Sequence, residues 1–219
     1  MSATRPMGAT HTAEQFDDPV QQREAATLGM WTFISTEILF FGVLFAGYTL
    51  CRVRFAEAFA EGSRHTDLLL GSMETAVLLI SSCLVAVSVR EVQLGGRRVA
   101  SWLIAGTALL GCTFLTMHGF EYVSEYHEGL IPFLRYTQTG PHSVPMQMFF
   151  CLYYFITGFH SLHVAIGVGV LVIMGRRTHR GDFDQDYHTP LEMTALYWHL
   201  VDIVWIFVFP LMYLVGRSG

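Results

Sequence analysis

The chain has 219 residues, 52% of them hydrophobic and only 14% charged, a balance too apolar for an ordinary soluble domain and one that points to a membrane protein. Its 13 basic residues are all arginine and its formal net charge is -5, which excludes the basic footprint of a nucleic-acid binder and the acidic tail of a charged scaffold. Cys51, Cys83, Cys112 and Cys151 lie in or beside apolar segments and form no CxxC pair, so they are expected to be packing residues, not disulfides or zinc ligands.

Residues 1–26 are polar and lack the apolar core of a cleavable signal, which predicts a loosely ordered tail. Five apolar stretches follow, at about 27–51, 68–90, 99–122, 147–174 and 193–215, each close to the roughly 20 residues that cross a bilayer as a helix. The expected fold is therefore all-α, a single bundle of five transmembrane helices over residues 27–215. Gly95 and Gly96 predict a tight reversal between the second and third spans, while Pro132, Gly140, Pro141 and Pro145 break the longer connection before the fourth.

Arginine distribution predicts the orientation, because positive charge is retained on the cytoplasmic side. Arg5, Arg23, Arg90, Arg97, Arg98, Arg176, Arg177 and Arg180 fall on the face of the N-terminus, against Arg52, Arg54, Arg64, Arg135 and Arg217 on the other. The N-terminus is expected in the cytoplasm and the C-terminus outside.

The first span carries one carboxylate, Glu37, at its centre. An ionisable group at mid-membrane costs roughly 2.5–3.5 kcal/mol on insertion scales, so it faces protein or a water-filled cavity and holds a proton or a partner. It can be read as a proton-handling group or as a helix-to-helix hydrogen bond donor. Counting about 1.5 Å per helical residue places Glu37 and His163 at roughly 14 and 17 Å from the cytoplasmic edge, with His199 and Asp202 at roughly 8 and 12 Å. These four are expected to form an inner polar layer, and Glu74, His118 and Glu121 an outer one. His160 with His163, and His199 with Asp202, are spaced to project from shared helix faces and to meet across an interface. Gly167 and Gly169 predict close helix packing.

Familiar enzyme templates are missing: no HExxH, GxSxG, GxxxxGK[ST] or strand-preceded GxGxxG occurs. Counting alone does not exclude metal chemistry, yet a haem-copper centre needs several histidines converging on metals, and only His118, His160, His163 and His199 lie in the spans. No haem, copper, iron or zinc is expected.

Thr157-Gly158-Phe159-His160-Ser161-Leu162-His163-Val164, followed by Tyr197-Trp198-His199-Leu200-Val201-Asp202-Ile203-Val204-Trp205, resembles subunit III of the haem-copper terminal oxidases. Ser35-Thr36-Glu37-Ile38-Leu39-Phe40-Phe41 resembles the family's segment with a buried acid, and Gly119-Phe120-Glu121-Tyr122 its third-span ending. The resemblance covers roughly residues 27–215, in the short, five-helix form without the two additional N-terminal helices of the longer one.

The resemblance implies an accessory subunit of a bacterial cytoplasmic-membrane oxidase, without a redox centre, bound to catalytic subunit I and the other oxidase subunits. It implies support of proton uptake and of stability during dioxygen reduction and proton pumping, with structural phospholipids as companions. A cytochrome c oxidase is the primary expectation; quinol oxidases and nitric oxide reductases carry related subunits. Two readings from other classes compete, a b-type haem anchor using pairs among the four histidines and a proton-coupled transporter centred on Glu37. The aromatic face around Phe40, Phe41, Leu44 and Phe45 is expected to meet a larger partner.

Overall fold

A computed structural model of the chain describes residues 15–132, 135–137, 140, 142–183 and 187–217. Most of the expected tail, with Arg5, and also Pro141 and the Arg135 side chain lie outside the described residues. In chain order the helices are α1 (Pro19–Arg54), α2 (Ala56–His65), α3 (Leu68–Gln93), α4 (Arg97–Glu128), α5 (Ser143–Arg180) and α6 (Thr189–Tyr213). Strands β1 (Leu130–Ile131) and β2 (Arg135–Tyr136) form a small antiparallel ladder between α4 and α5, and a 3-10 turn (Val215–Arg217) closes the C-terminal end. All helices but α2 are long and apolar enough to cross a membrane, so the chain is an integral, all-α membrane protein.

Most helix ends run past the predicted spans, and several are set by capping groups and not by hydropathy. The Asp18 carboxylate accepts a hydrogen bond from the Gln21 amide at 2.7 Å, and Pro19 occupies the first turn, where its missing N–H costs nothing. Helix α1 therefore begins within the stretch expected to be tail. Asp67 caps α3 in the same way through the Leu69 and Leu70 amides. Gly129 and Gly181 end α4 and α5 with φ of 72° and 86°, a left-handed conformation that only glycine adopts freely.

The start of α1 marks the near end of the bundle; the far end holds α2, β1 and β2. Contacts between Arg23 and Glu192 at one end and Tyr48 and the Leu211 carbonyl at the other show that α1 and α6 run parallel. Helix α6 is central: it packs against α3, α5 and α1, and its Trp198 and Trp205 are fully buried. Trp198 sits in a notch made by two glycines, since a Cβ at Gly111 or Gly167 would stand 2.7 or 2.9 Å from its ring. Gly169 has open space around it, so close packing resides in Gly167 alone of that pair. The Trp198 indole N–H donates to Ser81 at 2.9 Å and that of Trp205 to Thr75 at 3.1 Å, tying α6 to α3.

Helix α2 was not foreseen in the sequence. Ala58, Phe59, Gly62 and Ser63 are buried at helical spacing, and α2 packs on α5 and the C-terminal turn. Arg64 donates to the Gly216 carbonyl at 3.0 Å, and Arg217 donates to the carbonyls of Thr66 and Arg64 at 2.7 and 3.2 Å. The described cysteines are free, with Cys83 and Cys112 facing outward.

Candidate functional site

Polar side chains inside an apolar bundle must find partners, and most here do so locally. Ser35 and Thr36 return their hydroxyl protons to the carbonyls of Trp31 and Phe33 at 2.8 and 2.7 Å. Glu37 cannot, and its Oε2 lies 3.2 Å from His163 Nε2 on α5. Both side chains are mostly covered, at 17% and 16% exposure. His163 Nδ1 is 2.7 Å from the Phe159 carbonyl oxygen, and because a carbonyl only accepts, Nδ1 carries a proton. The Nε2 facing Glu37 therefore either accepts from a protonated carboxyl or, in the imidazolium, donates to a carboxylate. One proton serves both groups.

Three helices frame this pair. Tyr197 of α6 donates to the His163 carbonyl at 2.9 Å, and Phe41 meets the His163 ring edge-on with centroids 5.5 Å apart. Phe41 is thus turned inward and buried, whereas Leu39, Val43 and Leu50 populate the outward face of α1. Of the face expected around Phe40, Phe41, Leu44 and Phe45, Phe40 is exposed, Leu44 and Phe45 are half-buried and Phe41 is turned inward.

The rest of the expected inner layer divides among other interfaces. His199 Nδ1 lies 2.7 Å from Ser82 Oγ on α3. Asp202 is 3% exposed, and neither carboxylate oxygen has a hydrogen-bond partner among the described residues. His160 does not share the Glu37 interface with His163; it is enclosed by Trp205 and Phe114, with ring centroids at 5.0 and 5.5 Å. Depth estimates place residues at a common height but leave their direction around the axis open.

The outer layer converges more tightly. His118 Nδ1 lies 3.5 Å from Glu74 Oε1 and 3.4 Å from Glu121 Oε2, with all three side chains no more than 3% exposed. Tyr213 donates to Glu121 Oε2 at 2.7 Å, and Tyr153 Oη is 3.3 Å from the Tyr213 hydroxyl. One turn beyond, Tyr154 donates to Glu125 Oε2 at 2.6 Å, and Tyr122 pairs with Thr157 at 2.6 Å. The sequence reading missed Glu125, Ser82 and the tyrosines. Glu125 had a signal, since it follows Glu121 by four residues and shares its helix face.

Two grooves open on the bundle's flanks. One of about 390 Å³ separates α1 from α6 and is walled by Trp31, Ile38, Phe45, Phe207 and other apolar residues, with His199 at its edge. The other, about 400 Å³ between α4 and α5, has Arg176, His179 and Arg180 at its near-end mouth. Both are lined mainly by apolar side chains.

A family model described as "Cytochrome c oxidase subunit III" matches residues 12–217. A cytochrome c oxidase subunit 3 from Thermostichus vulcanus is 31% identical over 212 residues, covering 94% of this chain and 95% of the relative. A quinol oxidase subunit 3 from Bacillus subtilis (strain 168) is 30% identical over 197 residues, 88% of each chain. A probable cytochrome c oxidase subunit 3 from Rickettsia felis is 31% identical over 217 residues, 92% of this chain and 72% of the relative.

Proposed function

The chain belongs to the cytochrome c oxidase subunit III family, and from that premise we propose that it is the accessory subunit III of a cytochrome c oxidase. The match spans both histidine motifs and the Glu37 helix, and this is the observation that carries the reading. The subunit binds the catalytic haem-copper subunit I and the other oxidase subunits in a bacterial cytoplasmic membrane, with its N-terminus inside. It holds no haem or copper; it supports proton uptake and stability of the subunit that reduces dioxygen.

The outward face of α1, with Leu39, Val43 and Leu50 exposed, supports a larger apolar partner there. Helices in lipid gain little from apolar burial and associate through close packing and hydrogen bonds, so an exposed span is stable alone yet free to dock. The α4–α5 groove supports a phospholipid, its phosphate near Arg176 and Arg180, since guanidinium groups bind phosphate through paired hydrogen bonds.

Affinity-tagged chain, extracted from its native membrane in mild detergent, is expected to bring down a haem-containing subunit with cytochrome c oxidase activity. A chain that runs alone while the membrane's cytochrome c oxidase lacks it overturns the assignment. Copurifying activity with quinol and not with cytochrome c keeps the subunit and changes the electron donor.

A further inference from the structure

The Glu74, His118 and Glu121 cluster is the part of the interior least explained by packing. Glu74 comes from α3, and His118 and Glu121 are three residues apart on α4. Glu74 is 0% exposed, and among the described residues neither its carboxylate oxygens nor the nitrogens of His118 make a hydrogen bond of ordinary geometry; they meet only each other and Glu121, through the long 3.5 and 3.4 Å approaches of His118 Nδ1. Two acids and an imidazole in a dry interior need compensation, since uncompensated buried charge costs several kcal/mol per ion.

The spacing leaves room for an ion among them. One ligand atom from each residue lies within 4.8 Å of the others, and the two His118 Nδ1 contacts of 3.5 and 3.4 Å are long for directed hydrogen bonds. Ligand atoms held at about 2.0–2.2 Å around a tetrahedral ion stand about 3.3–3.6 Å apart. Tyr213, donating to Glu121 Oε2 at 2.7 Å, orients a carboxylate as an outer partner of a bound metal would.

The site also has an approach. A polar cavity of about 610 Å³ at the far end is lined by Asp67, Glu121, Glu125 and Glu128, together with His65 and Arg217. Glu121 belongs to both cavity and cluster. Asp67, Glu121, Glu125 and Glu128 against Arg217 and His65 make this an acidic lining, one that favours cations over anions.

We infer that Glu74, His118 and Glu121 bind one divalent cation, zinc by the chemistry of one imidazole and two carboxylates. The fourth position is open to water. The sequence-based expectation of a metal-free chain weighed convergent histidines and left out carboxylates brought in from another helix. This inference is independent of the oxidase assignment.

The test is zinc content of the purified full-length chain, with whatever subunits accompany it, after incubation with zinc sulfate and a chelator wash. About one zinc per chain is expected in the wild type, falling to about a tenth or less in Glu74→Gln and His118→Gln. The surface pair Glu57 and His142, 3.5 Å apart, supplies a control: Glu57→Gln should leave the content unchanged. Equal zinc in wild type and both cluster variants, or loss in Glu57→Gln instead, overturns the inference. If the cluster variants do not accumulate, zinc-edge X-ray absorption of the wild type decides. One imidazole nitrogen plus oxygen ligands at about 2.0–2.2 Å supports the site; a shell without imidazole, or no zinc retained, rejects it.

Discussion

Glu37 on α1 and His163 on α5 stand 3.2 Å apart while the far nitrogen of the imidazole is fixed on the Phe159 carbonyl at 2.7 Å. The ring can therefore receive a hydrogen bond from Glu37, and so can accept one from an amide in its place. Glu37→Gln is expected to keep the subunit in its complex with near-normal turnover. Glu37→Ala leaves the imidazole nitrogen unsatisfied, at a cost of about 1–3 kcal/mol, discounted for the partial exposure of the site. Subunit retention through detergent washing and oxidase turnover are the readouts. A large turnover or pumping defect in a fully assembled Glu37→Gln enzyme would reassign Glu37 from helix clamp to proton carrier.

Cofactor content is the second prediction. His163 and His199 are held by Glu37 and Ser82, His118 lies against the carboxylates of Glu74 and Glu121, and His160 is enclosed by the rings of Phe114 and Trp205. The subunit separated from its complex is expected to show no Soret band and no stoichiometric copper or iron. One equivalent of haem in the isolated chain would establish the b-type anchor reading instead.

Packing around Trp198 gives the third. A Cβ on Gly111 would stand 2.7 Å from both the Trp198 ring and a Val168 methyl, and overpacking of this kind typically costs about 1–3 kcal/mol. Gly111→Ala should lower the unfolding temperature in detergent, and Trp198→Phe in the same chain should restore part of the loss. Strictly additive effects would show that the two residues do not share the contact.

The C-terminal staple provides the fourth. A side chain at Gly216 would overlap the Ala60 carbonyl oxygen, and Arg217 caps two carbonyls at the end of α2. Gly216→Val is expected to free α2 and raise its susceptibility to protease from the far side, leaving the five spans folded. Arg217→Ala should do the same more weakly. Unchanged cleavage of α2 in both would mean that its packing on α5 suffices to hold it.

The five spans were legible because crossing hydrocarbon demands a long apolar run, and such runs leave little room for misreading. Helix ends were not, because Asp18, Gly129 and Gly181 act through backbone geometry beyond the apolar stretch. Helix α2 escaped because ten residues, all but Phe59 polar or small, read as a loop until Ala58, Phe59 and Gly62 are seen against a neighbour. The same distinction runs through the polar interior. Heights could be counted, which paired Glu37 with His163 and grouped Glu74 with His118 and Glu121. Azimuths could not, so His199 was set beside Glu37 when its partner is Ser82, a serine with no signature in an apolar helix.

Order of synthesis now acquires a meaning. Helix α1 is made before α5 and α6, yet it packs more on α6 than on any other helix and meets α5 through Glu37 and His163, while α3 and α4 join through a tight hairpin. Until His163 emerges, the nascent first span sits in the bilayer with an unpaired acid at its middle. A chain cut short before α5 therefore keeps an acid in its first span without the imidazole that meets it in the finished bundle, and completion of α5 supplies that partner.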